Sequence, residues 1–249
     1  TIIESKFILF LRREKSGGDV RVMHVSDIHR AEKNSQIIKI AEENIPDVIF
    51  ITGDLISRDE TDFSMAESLL KRLCSIAPTY MVYGNHEQSL PEKQGVLFKN
   101  MITDTGVILL ENEFKSVTVN EKILHIYGVI QKYSTYKKNG GYKNLDRFTL
   151  SDMRSAVGDA KKDGKIFLLA HNPKWAEVYA EWGADYTFCG HVHGGIIRIF
   201  GKGVFSPERK VFPQYSRGIY SVNRMRLCVS GGIGKLRLFN PPEVVIYEI

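Results

Sequence analysis

Short apolar runs alternate with longer stretches of helical periodicity over residues 19–83, which is how βαβ units read. Strand patterns occupy residues 20–25, 47–52 and 79–83. Between the first two, Ile37, Ile38, Ala41 and Ile45 recur at helical spacing behind Asn34 or Ser35 as a capping residue, which predicts an amphipathic helix. Between the second and third, Met65, Leu69, Leu70 and Leu73 repeat the pattern, and Pro78 closes the connection. The middle of the chain turns to β, with runs at 107–110, 116–119 and 123–129. Met153, Ala156, Val157 and Ala160 predict a further helix capped by Thr149 or Ser151, followed by an apolar strand at 165–170. A short helix from Pro173 and strands at 186–189, 196–200, 226–230 and 243–249 complete the pattern. No internal repeat or linker interrupts it, so residues 1–249 read as one α/β domain. Residues 134–144 and 201–217 have the composition of surface loops.

Composition places the chain among folded globular proteins: 43% of residues are apolar and 25% charged, which excludes disordered, collagenous and coiled-coil classes. The net charge of +5 favours anionic partners without diagnosing nucleic acid. Cys74, Cys189 and Cys228 are far apart and outside any CxxC spacing, so they read as reduced, buried thiols rather than as a disulfide framework or zinc ribbon. The longest apolar run near the N-terminus, residues 7–11, is far short of the roughly 20 residues of a spanning helix. The chain begins at Thr1 rather than Met, which is compatible with an upstream segment removed by processing.

The chemistry concentrates where predicted strands end. Five of the seven histidines follow strands in polar, glycine-flanked contexts: Ser26-Asp27-Ile28-His29, Gly53-Asp54, Gly84-Asn85-His86-Glu87, His171-Asn172-Pro173 and Gly190-His191-Val192-His193-Gly194-Gly195. In open α/β sheets the carboxyl ends of strands converge on one crevice, so these turns can meet in space. Imidazole, carboxylate and amide groups are borderline ligands that hold Mn, Fe, Zn or similar divalent ions. In Asp27-x-His29 and His191-x-His193 a spacing of two in an extended segment sends both side chains to one side. Seven potential ligands exceed one tetrahedral site and suit two ions about 3.5–4 Å apart, the arrangement used in hydrolytic phosphoryl transfer.

The five motifs, in this order, resemble those of the calcineurin-like metallophosphoesterase superfamily. The tail, with Ser230-Gly231-Gly232-Ile233-Gly234 and Arg237-Leu238-Phe239-Asn240-Pro241-Pro242-Glu243, resembles the branch of bacterial YkuE and YaeI type enzymes. The resemblance implies a four-layer fold, a central β-sandwich flanked by helices. It implies that Asp27, His29 and His193 hold one metal, that Asn85, His171 and His191 hold the second, and that Asp54 bridges them. It leaves His86 free of metal, placed to contact the phosphate and to protonate the leaving oxygen, with Glu87 or a backbone carbonyl to orient it. The implied reaction is hydrolysis of a phosphoester or pyrophosphate bond by a metal-bridging hydroxide. The branch suggests a lipid-linked or membrane-proximal substrate, peripheral membrane association and a cell-envelope location; a cytoplasmic location is the alternative. Two departures stand out. Leu55, Ile56 and Ser57 intervene before Arg58 and Asp59, where many members carry another acid, and Ile196 follows His193-Gly194-Gly195 where the branch usually has Gln.

Other residues have plainer readings. His24 and His125 lie inside strands and read as hydrogen-bonded structural residues, and Cys189 as a buried strand-end thiol. Arg30 either adds a phosphate contact or points to solvent. The loop with Lys202, Arg209, Lys210, Phe212, Tyr215 and Arg217 either binds a phosphate-rich lipid surface or nucleic acid or is simply solvated, and the solvated reading is the commoner for charged loops. A metal-dependent nuclease and a non-catalytic scaffold that keeps the fold are the competing functions.

Overall fold

The computed structural model describes residues 9–15, 18–30, 33–200, 202–208, 211–234 and 237–249. Two six-stranded sheets pack face to face, with helices on both outer faces. The first sheet runs β1 (Phe10–Lys15), β14 (Glu243–Glu248), β2 (Arg21–Val25), β3 (Val48–Thr52), β4 (Thr79–Val82) and β5 (Ile108–Leu109). The second runs β12 (Gly218–Val222), β13 (Met225–Val229), β9 (Tyr186–Cys189), β8 (Lys165–Ala170), β7 (Lys122–Val129) and β6 (Glu113–Val119). Strands β2 to β5 are mutually parallel, as are β7, β8, β9 and β13, so each sheet presents a set of carboxyl ends.

Alternation along each strand divides the apolar residues between three layers. Val22, Phe50, Tyr80 and Val82 of the first sheet meet Leu124, Ile126, Phe167 and Phe188 of the second, with the Phe50 and Phe188 rings 4.9 Å apart. The opposite face of the first sheet, Met23, Ile49, Ile51 and Met81, packs with residues of α1 (Asn34–Asn44), α2 (Ser64–Cys74) and α4 (Glu92–Thr105). Ile166, Leu168 and Ala170 do the same for α5 (Leu150–Val157) and α6 (Ala176–Trp182). The order helix, sheet, sheet, helix is the four-layer fold that the motifs imply.

Several local expectations change. Neither Asn34 nor Ser35 caps α1, whose N-cap position is Lys33, with no side-chain hydrogen bond to the helix's first amides. Ile45 leaves the apolar stripe because it adopts the left-handed conformation that ends the helix, and its side chain is exposed. In α2 the buried positions are Ala66, Leu69, Leu70 and Leu73, while Met65 faces out. Thr149 does cap α5, accepting from the Asp152 amide, but Gly158 stops the helix before Ala160. A 3-10 turn from Pro173 to Trp175 precedes α6. The sequence reading places no element at β1, α4 or β12 and gives residues 201–217, which contain β11 (Lys202–Phe205), to a surface loop; all four elements are present. Cys189 and Cys228 are buried thiols, and Cys74 is only half-buried. Arg209 and Lys210 lie outside the described residues.

Candidate metal centre

Each chemical motif occupies a turn at the carboxyl end of a parallel strand: Asp27 and His29 after β2, Asp54 after β3, Asn85 and His86 after β4, His171 after β8, His191 and His193 after β9. Asn85 and His86 open the one-turn helix α3 (Asn85–Gln88). The turns are not extended. Asp27, His29, Asp54, His191 and His193 all have φ between 46° and 68°, a left-handed conformation that non-glycine residues adopt at a cost. Sharp reversal, rather than strand alternation, therefore aims these side chains inward. It also separates His191 from His193, which join different clusters.

Close backbone approach holds the turns together. A Cβ at Gly190 would stand 1.8 Å from Ser26 Oγ and 2.3 Å from Asp27 Oδ2, so only glycine fits where β9 passes β2. Both Asp27 carboxylate oxygens accept the His191 amide, and Ser26 Oγ donates to Oδ2. The tail motif closes the same turn, with the Ile233 and Gly234 amides donating to the Asp27 carbonyl. Asn240 Nδ2 donates to the carbonyls of His193 and Gly195.

Ligand atoms of Asp27, His29, Asp54 and His193 lie within 4.8 Å of one another, as do those of Asp54, His171 and His191. Asp54 is common to both groups. Its Oδ2 is 3.2 Å from His171 Nε2 and 3.9 Å from His29 Nε2, while His193 Nε2 is 3.3 Å from Asp27 Oδ1. Asn85 contributes a buried Oδ1 without a hydrogen-bond partner, facing the cavity that Asp54 and His191 also line. An acceptor so placed costs free energy unless a cation or donor meets it. Two carboxylates, four imidazoles and this carboxamide fit borderline divalent ions. All eight sequence-selected residues converge, whereas His24, bonded to Thr52 Oγ1 in the inter-sheet core, and His125, between Ser116 and Asp163, lie outside the site.

The electrostatics suit a cation site. Burial disfavours the charged form of His171, but Asp54 and then Asp27 outweigh it and raise the imidazole to about 10. Burial pushes His193 down to about 3 and His86 to about 4 despite their carboxylate neighbours. Asp54 is held well below the usual carboxylate range, its burial overcome by His171, His86 and His29. The proton on His171 thus meets the Asp54 and Asp27 charge that a cation would meet.

The surroundings contain residues that sequence reasoning did not select or gave a different role. His86 Nδ1 accepts the Arg58 amide at 3.1 Å, and an Arg58 guanidinium nitrogen lies 3.0 Å from Nε2. Glu87 does not orient His86; its carboxylate accepts the amides of Asp54, Ile56 and Gly84 and so joins the turns after β3 and β4. It takes over the supporting role for which no acid follows Gly53-Asp54. Arg30 is engaged by Asp59. Glu208 Oε1 lies 2.8 Å from His191 Nε2, which leaves Nδ1 for a cation. Tyr133, together with Lys137 and Tyr142 from the stretch expected to be a surface loop, lines the mouth over Asp54, Asn85 and His86. Arg30, Arg58 and Glu87 had a sequence signal in their places beside the motifs; Tyr133, Lys137, Tyr142 and Glu208 depend on which loops fold over the sheet ends.

A buried nitrogen and oxygen ligand cluster at the carboxyl ends of two packed sheets defines a metal-dependent hydrolase centre. The family model for calcineurin-like phosphoesterases matches residues 20–195, and the chain belongs to that family. It is a metal-dependent phosphoric ester hydrolase. It is similar to phosphodiesterase YaeI of Escherichia coli K12, 24% identical over 92% of this chain and 82% of that protein. An uncharacterized metallophosphoesterase of Bacillus subtilis 168, YkuE, is also 24% identical, over 91% of this chain and 76% of its own. Among solved structures, the phosphopantetheinyl hydrolase of Mycobacterium tuberculosis shares the fold with a TM-score of 0.51 at 14% identity, covering 85% of this chain and 88% of that one.

Proposed function

We propose that the centre is binuclear: Asp27, His29 and His193 hold one divalent ion, Asn85, His171 and His191 hold the other, and Asp54 is shared. The observation that carries this reading is the membership of Asp54 in both ligand groups. Such a pair, Mn, Fe, Zn or mixed, would supply Lewis-acid charge to phosphoryl oxygens and lower the pKa of a bound water. Asp27 and Asp54 neutralise half of the charge that two divalent ions carry, so the site still attracts a phosphate group. His86 stands at the mouth with its Nε2 4.0 Å from Asp54 Oδ2 and its ring 4.5 Å from that of His29. From there it contacts the substrate phosphoryl group, whose negative charge offsets the burial that holds the free imidazole at about 4 and lets it carry a proton to the leaving oxygen. Arg58 positions the His86 ring, and Lys137 adds positive charge on the substrate side.

The substrate is a phosphoester or pyrophosphate, and the phosphodiesterase name of the E. coli relative favours a diester as the first probe. Chelator-stripped protein is expected to be inactive on bis-p-nitrophenyl phosphate and to recover with Mn. Asn85→Ala should lose bound metal together with activity. His86→Ala should keep its metal and lose about 10²–10⁴-fold in kcat, the range for a general acid. Undiminished turnover by the stripped protein, or by His86→Ala at full metal content, would refute these assignments.

A further inference from the structure

The motif His171-Asn172-Pro173 contains one polar residue that the metal centre does not use. Asn172 is 2% exposed, and its Oδ1 accepts the Lys174 amide at 3.0 Å. Its Nδ2 is thereby left as a buried donor without a partner among the described residues. Such a donor costs free energy unless a ligand or an ordered water meets it. Asn172 lines a cavity of about 190 Å³ bounded by the turn after β8 and by the loops that carry Pro207 and Tyr215. His191, Pro207 and Glu208 line both this cavity and the mouth over Asp54, Asn85 and His86, so the two share a wall. A molecule whose phosphoryl group occupies the centre therefore has the cavity within reach of an ester substituent.

Size, rigidity and polarity select the occupant. An apolar cavity of roughly 150 Å³ holds a benzene ring, so 190 Å³ accommodates one six-membered ring with small substituents and not an acyl chain. Its walls are set in advance. Pro173, Pro207 and Pro213 have no side-chain rotamers to lose on binding. Tyr215 donates to Glu177 Oε1 at 2.8 Å, accepts from Gln214 Nε2 at 2.9 Å and meets the Tyr220 ring edge to face at 5.1 Å. The other polar groups of the lining are engaged: Glu208 with His191, Gln214 Nε2 with Tyr215, and the Lys174 ammonium over the Trp175 ring. One unmet donor among proline and tyrosine surfaces suits a planar ring with an acceptor atom, whereas a sugar would bring several hydroxyl groups to it.

We propose that this cavity is the subsite for a ring on the substrate's ester substituent: one heteroaromatic ring of pyrimidine size, its acceptor bonded by Asn172 Nδ2 and its face against Tyr215. The inference rests on the phosphoesterase reading of the centre. Thymidine 5′-(p-nitrophenyl phosphate) and methyl p-nitrophenyl phosphate share a leaving group and are both primary alkyl esters, so the ratio of their kcat/KM values isolates the ring. With Mn-loaded protein the thymidine ester should be favoured about tenfold or more, chiefly through KM. Tyr215→Ala should bring the two esters to within about threefold of each other. Asn172→Ser, which keeps an oxygen for the Lys174 amide and removes the donor, should lower the ratio about fivefold. Calorimetry supplies a readout apart from turnover: thymidine 5′-phosphate should bind about tenfold or more tightly than methyl phosphate. Equal kcat/KM for the two diesters, a ratio that neither variant moves, or equal binding of the two monoesters would overturn the subsite. Turnover of neither diester at full metal content would instead refute the phosphoesterase reading, and the two binding constants would still decide the subsite.

Discussion

Glu208 is the residue whose contribution is easiest to isolate, because its carboxylate meets the far nitrogen of the His191 ring. A carboxylate on the far nitrogen of a ligating imidazole fixes its tautomer and raises its basicity, so Glu208→Ala should lower metal affinity about 10–100-fold. Glu208→Gln, which keeps an oxygen acceptor without the charge, should recover part of the loss; equilibrium metal titration distinguishes the three proteins. Gly190→Ala should act from the other direction, since its methyl displaces Asp27, and the expected result is a folded protein that binds little metal. His171 gives the site a pH dependence. In the metal-free protein its pKa is raised from 6.5 to about 10, so its pairing with Asp54 stabilises the fold fully below pH 6.5 and is lost as pH rises through about 10. Metal must displace that proton, so affinity should strengthen with rising pH by about tenfold per unit for each proton released. Calorimetry in buffers of different ionisation enthalpy reads the released protons directly, and metal uptake without proton release would contradict the pairing.

At the scale of elements, strand ends carry the site and helices set their position. The strands that deliver ligands were legible because β2, β3, β4, β8 and β9 are central, buried on both faces and therefore continuous apolar runs. The elements that escaped lie at edges or carry mixed sequences. β1 reads Phe-Leu-Arg-Arg-Glu-Lys, yet Arg12 is satisfied by Glu14 and Glu243, so its charges do not prevent pairing. β12 is an edge strand joined to β13 through a turn at Asn223 with φ 52°. Helix α4 buries only Phe98, Ile102 and Thr105, a stripe too narrow to stand out from its polar surroundings. The motif residues were legible for a different reason, their polar, glycine-flanked context. Glu208, Tyr133 and Lys137 were not, because nothing local records which loop covers a sheet end. Phe98 packs on Phe63 and Tyr83, the latter just before Gly84 and Asn85. Phe98→Ala should therefore cost about 3–5 kcal/mol in urea unfolding, with a secondary loss of metal affinity through the Asn85 turn.

At the scale of the whole molecule, the sandwich explains why one site draws on residues from 27 to 193. Each sheet alone offers an incomplete set: Asp27, His29, Asp54 and Asn85 come from the first, and His171, His191 and His193 from the second. Packing Phe50 and Tyr80 against Phe167 and Phe188 brings the two sets of carboxyl ends to one edge, so the centre forms only when the inter-sheet core does. Metal should accordingly stabilise the folded chain by mass action and raise its melting temperature with concentration. The central claim is a shared carboxylate between two ions, and its most direct test is electron paramagnetic resonance of Mn-loaded protein with metal counted per chain. The account predicts two Mn per chain with the spectrum of an exchange-coupled pair, and loss of the coupling in Asp54→Asn. A fully active protein holding one isolated Mn per chain would contradict it.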